Sequence, residues 1–164
     1  MSDKELKAEK ENRYFAAKAG IIVALCALLL PCWVYCGPFD LFIYAGGWMF
    51  HAYDADSTTR ISFSLYFAGF SLLQALIIIG GPQLLFAYML YRLYLGQTSV
   101  KKALATGCIV LIPPLINDLF YLIIYLTSPS APFWPTIPIP LSLLVGLVII
   151  KRYPPPEDVP TWLQ

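Results

Sequence analysis

The sequence predicts an all-α membrane protein, a bundle of about four transmembrane helices with both termini in the cytoplasm. Hydrophobic residues make up 59% of the 164 residues and charged residues only 13%, about half the usual charged share of a soluble domain. Several long stretches carry no charge, and the basic residues cluster between them. A soluble protein of this size could not bury so much apolar surface, whereas lipid solvates it.

The chain begins with a charged segment and a first apolar stretch. Residues 1–14 alternate lysines and glutamates and are expected to form a cytoplasmic tail. Residues 16–36 form the predicted first span, with Trp33 and Tyr35 in the aromatic belt at its far end. Pro31 falls in the last third of this span and is expected to kink or end the helix.

Residues 37–60 are predicted to form an outer loop of mixed character. The first half is apolar and aromatic, Gly46-Gly47 interrupts it, and the second half is polar. A run of about ten apolar residues is too short to cross a bilayer. The apolar half is therefore expected to lie in the membrane interface or to pack on the helix ends.

Residues 61–96 form the predicted second span. Its first 31 residues would measure roughly 46 Å as one straight helix, and Gly80-Gly81-Pro82 lies in the middle. The stretch is either one long span kinked at this tripeptide or two short spans. One span places ten of the eleven Lys and Arg residues on one side of the membrane, whereas two spans divide them almost equally. The positive-inside rule favours the single kinked span.

The rest of the single membrane domain, residues 1–164, follows the same pattern. Residues 103–127 form the third span, and residues 128–136 a short uncharged outer loop. Residues 137–150 form a thin fourth span that the next two basic residues end on the cytoplasmic side. Residues 151–164 form a proline-rich cytoplasmic tail, which favours an extended conformation.

Asp118 is the acidic residue that the sequence places at membrane depth. A bare carboxylate there costs at least about 2.5–3.5 kcal/mol, so it must be protonated, paired or in contact with water. Two interpretations stay open: a cation or proton site in a helix broken by prolines, or a structural aspartate bonded to another helix. The residues that could complete this intramembrane polar site are Asn117, Gln74, Gln83 and Tyr121.

Arg92, Lys101 and Lys102 form a predicted basic rim on the cytoplasmic side. Anionic lipid head groups are the expected partners of such a rim, although the topology signal explains the same charges equally well.

Several classes of function and site find no support. A net charge of +1 argues against a nucleic-acid partner. The four cysteines form no CxxC pair and His51 is the single histidine, so neither a metal site nor a cofactor is expected. His51 and Asp54 form the one candidate catalytic pair, within the predicted outer loop.

Two segments carry a resemblance to uncharacterised archaeal membrane proteins. The stretch LLFAYMLYRLYLGQTSVKK at residues 84–102 resembles their aromatic helix that ends in Tyr-Arg-x-Tyr before a glycine and a basic turn. The segment IPIPLSLLVGLVII, followed by prolines, is similar to their last helix. The resemblance implies a polytopic fold of about four spans and an archaeal origin, and it implies no function.

The function expected from these features is that of a non-enzymatic integral membrane protein of the cell membrane. Its small size predicts a subunit or scaffold of a membrane complex, or a homo-oligomer, with the lipid bilayer and other membrane subunits as partners. One alternative is a small transporter or channel that uses Asp118 as a cation or proton site. Another is a lipid-modifying enzyme that works at the interface near His51.

Overall fold

The computed structural model, which describes residues 3–37, 39–55, 58–65, 76–128 and 135–155, combines helices with a β-sheet. The expectation of an all-α bundle is therefore wrong. The strands are β1 (Pro31–Cys36), β2 (Asp40–Ala45), β3 (Trp48–Ala55), β4 (Thr58–Leu65) and β5 (Thr136–Pro138). The α-helices are α1 (Asp3–Leu29), α2 (Gly81–Tyr94), α3 (Val100–Cys108), α4 (Ile112–Thr127) and α5 (Leu141–Arg152).

The strands form one sheet in the order β4-β3-β2-β1-β5, and each pair of neighbours is antiparallel. The predicted outer loop, residues 37–60, is thus mostly paired strand. The predicted first span ends as β1, the second begins as β4 and the fourth begins as β5. Because β-branched and aromatic residues fit a pleated surface as well as they fit lipid, their apolar character alone did not separate strand from membrane helix.

Gly80-Gly81-Pro82 lies where a π-helical turn joins an α-helix. A π-helical turn, Leu76–Gly80, precedes it, and α2 begins at Gly81 with the proline in the first turn. Proline is favoured there because its missing N–H would have no partner inside the helix. Pro113 and Pro114 stand likewise in the first turn of α4, after a 3₁₀ turn at Ile109–Leu111 that links α3 to α4.

The main core lies where α1, α2, α3 and α5 pack together. Phe86 on α2 is fully buried at its centre. A Cβ atom added to Gly107 or Gly146 would lie 2.9 Å or 2.4 Å from its ring, respectively. The two glycines, on α3 and α5, thus provide the space that the ring occupies.

The β2–β3 hairpin caps the end of α1. Backbone N–H groups of Gly46 and Gly47 donate to the carbonyls of Ala27 and Leu28, at 3.2 and 3.1 Å. The indole of Trp48 donates to the carbonyl of Leu29, at 2.9 Å. The last carbonyls of a helix lack hydrogen-bond partners within the helix. The hairpin supplies donors to three of these carbonyls and so attaches the sheet to the helices.

Aromatic side chains join three helices at the opposite end of the helical layer. The hydroxyl of Tyr94 donates to the carbonyl of Tyr153, at 2.7 Å. The ring of Phe15 lies 4.8 Å from that of Tyr94 and 5.1 Å from that of Tyr153, measured between centroids. The end of α2, the end of α5 and the middle of α1 therefore meet at one level.

Two helical stretches, Lys10–Leu29 and Val100–Thr127, are long and apolar enough to cross a membrane, by length and composition. In the most apolar 18-residue part of each stretch, only 22% and 11%, respectively, is buried inside the protein. The core helix of a soluble protein would instead be mostly buried. The second stretch contains α4, most of whose large apolar side chains are exposed.

Candidate functional site

One face of the sheet carries a row of aromatic side chains from three adjacent strands. In β1–β3, Trp33 is paired with Tyr44, Tyr35 with Phe42, and Phe42 with His51. Side chains two residues apart share a face of a strand, so these rings all point to the same side, together with that of Tyr53. We call this side of the sheet the aromatic face.

The rings of the aromatic face contact one another in two arrangements. Trp33 and Tyr44, and also Tyr35 and Phe42, are inclined at 60°, with centroids 6.2 and 5.8 Å apart. Phe42 stacks on His51 with centroids 3.8 Å apart, and His51 in turn stacks on Tyr53. The inclined pairs leave open space above the sheet, whereas the stacked rings form a continuous layer beside it.

Residues of helix α4 and the inclined pairs together line a partly open cavity of about 350 Å³. Five aromatic rings line this cavity, which we call the aromatic cavity: Trp33, Tyr35, Phe42, Tyr44 and Tyr121. Asn117 of α4 and Thr136 of β5 complete the lining. The volume falls within the usual range for small-molecule sites.

Asp118 and Asn117 attach α4 to strand β5 beside this cavity. The backbone N–H of Thr136 donates to Asp118 Oδ1, at 2.7 Å. The side-chain amide of Asn117 donates to the hydroxyl of Thr136, at 3.0 Å. The acid that the sequence placed at membrane depth thus pairs with a strand and not with another helix.

The predicted polar site is assembled only in part. Asn117, Asp118 and Tyr121 come together at the aromatic cavity. Gln83 is buried elsewhere, where its amide donates to the carbonyl of Ile79 at 3.4 Å. Gln74 lies outside the described residues. The sequence suggested Gln83 as a polar residue of the predicted second span that could reach Asp118, whereas its amide bonds within its own helical segment.

Burial changes the acidity of two phenols in the cavity. Burial, together with nearby Tyr121 and Asp40, raises the pKa of Tyr35 above its ordinary value. Burial, with Tyr121 and Tyr35 as neighbours, also raises the pKa of Tyr44. Both phenols therefore stay protonated and neutral at physiological pH.

His51 has a carboxylate partner, but a different one from that predicted. His51 Nε2 lies 3.0 Å from Asp40 Oδ1 on the neighbouring strand. Asp54 instead accepts a hydrogen bond from the hydroxyl of Thr59, at 2.8 Å. The hydroxyl of Ser62, on the strand beyond His51, donates to the His51 backbone carbonyl and not to its ring.

The predicted basic rim is brought to one end of the helices. Arg92 lies in the last turn of α2, and its guanidinium donates to the carbonyl of Gln97 and lies 6.0 Å from the Tyr88 ring. Lys101 and Lys102 are exposed in the first turn of α3, which Ser99 caps. The short turn between the helices places all three cations at the level where the aromatic residues join α1, α2 and α5.

Within the described ranges, no three His, Cys, Asp or Glu side chains are grouped closely enough to hold a metal ion. Comparison with protein-family models, with curated proteins and with solved structures found no match. The aromatic face is the feature that sequence reasoning missed. Its signal was the run LFIYA-GG-WMFHAY, two β-prone segments joined by two glycines, which is typical of a hairpin.

Proposed function

We propose that this chain is an integral membrane protein that serves as a non-enzymatic subunit or scaffold of a membrane assembly. The observation that carries the proposal is the exposed apolar side of α4. Seven of its large apolar side chains are 38–68% exposed: Leu115, Ile116, Leu119, Phe120, Leu122, Ile123 and Leu126. At 100° per residue they cover an arc of roughly 160°. So broad an apolar arc is typical of a helix surrounded by lipid.

The opposite side of α4 faces the sheet, and this contact supports a definite depth in the bilayer for the helix and for the sheet. From Lys102 to Asn117 the helical rise is about 22 Å, within a hydrocarbon core of about 30 Å. Asn117 bonds to Thr136 of β5, so the sheet begins near the far boundary of the bilayer. Tryptophan and tyrosine, which are frequent on the aromatic face, favour that interface.

The basic end of the helices supports the same orientation. Arg92, Lys101 and Lys102 lie at the end of the helical layer opposite to the sheet, and Lys151 and Arg152 lie in the last turn of α5 at that end. Each basic side chain near an anionic bilayer surface contributes about 1 kcal/mol of attraction. We propose acidic lipid head groups as the ligands of this rim.

Strand β4 supports a role within an assembly. It forms one edge of the sheet, and all eight of its residues are exposed. Among the described strands, none pairs with its outer side. Ile61, Phe63 and Leu65 alternate along it and extend an apolar face beyond the edge. An edge of this kind can accept a strand from a partner subunit through main-chain hydrogen bonds.

The contact between Asp118 and Thr136 supports a structural role for the aspartate over ion transport. A carboxylate that accepts a backbone N–H holds the helix to the sheet, which is a sufficient reason for its presence at this depth. We therefore do not propose transport as a second function.

The test is purification in a maltoside detergent after extraction of membranes at alkaline pH, followed by native mass spectrometry. We expect the chain to stay in the pellet at alkaline pH and then to appear at a fixed stoichiometry above one. Phe63→Lys places a charge on the exposed edge and should return the complex to monomers. Leu144→Lys, at an exposed position on α5, is the matched control and should leave the stoichiometry unchanged.

Two results would contradict the proposal separately. Release into the alkaline supernatant would exclude integration into the bilayer. A stable monomer in both the unmodified protein and the Phe63→Lys variant would exclude the assembly role and leave the membrane position intact.

A further inference from the structure

The aromatic cavity combines a high density of aromatic rings with a negative environment. Four of its five rings come from two adjacent strands, and Tyr121 of α4 faces them. Two acidic groups contact or influence its lining: Asp118 is bonded to Thr136, and Asp40, which also contacts His51, contributes to the raised pKa of Tyr35. Among the described residues, no Lys or Arg side chain lines the cavity.

The polar atoms in the cavity suit a cation better than an anion. Tyr35 and Tyr44 stay neutral, and their oxygens can turn lone pairs toward a positive charge. The amide of Asn117 already donates to Thr136, and the N–H of Thr136 already donates to Asp118. The strongest donors are thus engaged within the protein, and an anion would find few of them.

The ring geometry favours a particular kind of cation. Two ring pairs are inclined at 60° with centroids about 6 Å apart, so more than one ring face can contact a rounded group. An aromatic face attracts a cation within about 6 Å of its centroid, and the attraction is greatest when the cation carries little water. A quaternary ammonium group has a large, weakly hydrated surface and no N–H to satisfy.

We infer that the aromatic cavity binds a quaternary ammonium group. The group can belong to a small solute such as choline or to the head group of a choline lipid, since both present the same trimethylammonium surface. This inference does not depend on the assembly role proposed above, because it needs only the contact between α4 and the sheet.

The test is isothermal titration of the purified protein in a maltoside detergent, which contains no quaternary ammonium. The probes are choline, tetramethylammonium and 3,3-dimethyl-1-butanol, a neutral molecule with the shape of choline. We expect both cations to bind and the neutral alcohol to bind at least about tenfold more weakly, because the rings attract the charge as well as the methyl groups. Equal binding of choline and the alcohol, or no binding by either cation, would overturn the inference.

Variants of Tyr121 locate the binding without disturbing the sheet. Tyr121 is 45% exposed on α4, so its replacement should not prevent folding. We expect Tyr121→Leu to weaken choline binding about tenfold and Tyr121→Phe to weaken it less than about threefold, since phenylalanine keeps the ring face. Tyr88→Leu removes an exposed tyrosine from α2 and should leave the affinity unchanged. An unchanged affinity in Tyr121→Leu would contradict a site in this cavity.

Competition separates the two sources of the group. We add mixed micelles of phosphatidylcholine or of phosphatidylglycerol during the choline titration. Competition by phosphatidylcholine alone supports the cavity as a lipid head-group site, and an absence of competition supports it as a site for a small solute. Equal competition by both lipids would contradict recognition of the ammonium group.

Discussion

At the scale of single residues, the position of Phe86 depends on two glycines that face it. Its ring is fully buried between Gly107 and Gly146. We expect Gly146→Ala to lower the free energy of unfolding by about 1–3 kcal/mol, because the new methyl group must displace the ring in a filled core. The measurement is chemical denaturation in detergent, followed by tryptophan fluorescence.

The double variant Gly146→Ala/Phe86→Leu is the control for this contact. Leucine is smaller than phenylalanine, so the double variant should be more stable than the sum of the two single changes predicts. We expect a coupling of about 1 kcal/mol or more. Additive effects would mean that the glycine is needed for its backbone and not for the space that it leaves.

The two cysteines of β1 differ in burial and should therefore differ in reactivity. Cys32 is buried, Cys36 is exposed, and both are free thiols. Burial raises the pKa of the Cys32 thiol above its ordinary value, and hydrogen bonds with Gln83 and Gly46 offset this only in part. Because the thiolate is the reactive form, the raised pKa lowers its fraction at any pH below the shifted value.

We expect a maleimide at pH 8 to label a variant with Cys36 alone at least about tenfold faster than one with Cys32 alone. Raising the pH from 8 to 9.5 should increase the labelling rate of Cys32 by a larger factor in the folded protein than in a denatured control, in which the labelling rate has already reached its plateau. Equal rates at the two positions in the folded protein would show that β1 does not pack as described.

At the scale of secondary-structure elements, the junction of α4 with β5 depends on one carboxylate. Thr136 is buried, and its N–H donates to Asp118 Oδ1. Asp118→Asn keeps a carbonyl oxygen at this position and should remain within about 1 kcal/mol of the unmodified protein. Asp118→Leu leaves the N–H without its acceptor and should cost about 1–3 kcal/mol. Thermal unfolding in detergent measures the stability of both variants. An equal loss of stability in the two would show that the charge itself is required.

The elements also show how far the sequence could be interpreted. Pro31 was expected to kink or end the first helix, and α1 ends just before it. The third apolar stretch, residues 103–127, is helical throughout in the structure. Strands β1–β3 could not be derived from hydrophobicity, because both of their faces carry apolar or aromatic residues and thus lack the alternation of a half-buried strand. The signals for strands were the turn chemistry at Gly46-Gly47 and, in β4, the alternation of Ile61, Phe63 and Leu65 with polar residues.

The candidate site was predictable in part for the same reason. Asp118 and Asn117 stood out because polar residues within an apolar helix need a partner. Their partner, Thr136, lies eighteen residues from Asp118 in a strand of three residues, and so short a strand has no periodicity to recognise. The aromatic cavity needs the register of β1 with β2, which depends on pairing between distant side chains and cannot be obtained from one strand alone.

At the scale of the whole molecule, the helical layer and the sheet separate two environments. One end of the helices carries basic residues, the other end is capped by the β2–β3 hairpin, and α4 exposes a broad apolar side between them. Charges, lipid-facing residues and aromatic residues thus follow one another along a single axis. The same order is found across a bilayer from a surface with basic residues to the aromatic belt on the far side, so the axis of the molecule is expected to follow the membrane normal.

This orientation predicts which cysteines a water-soluble reagent can reach. Cys108 is exposed on the surface of α3, eight residues and about 12 Å after the start of the helix. In open membrane fragments, a membrane-impermeant maleimide should fail to label a variant with Cys108 alone, because lipid covers the thiol that the described part of the protein leaves exposed. Lys102→Cys in a background without other cysteines lies at the basic end of the same helix and should be labelled readily, as should Cys36 on the sheet.

Denaturation in dodecyl sulfate should then expose Cys108 and confirm that it is chemically intact. Labelling of Cys108 in the native membrane as fast as at position 102 would place α3 and α4 in water, and the membrane role would then have to be abandoned.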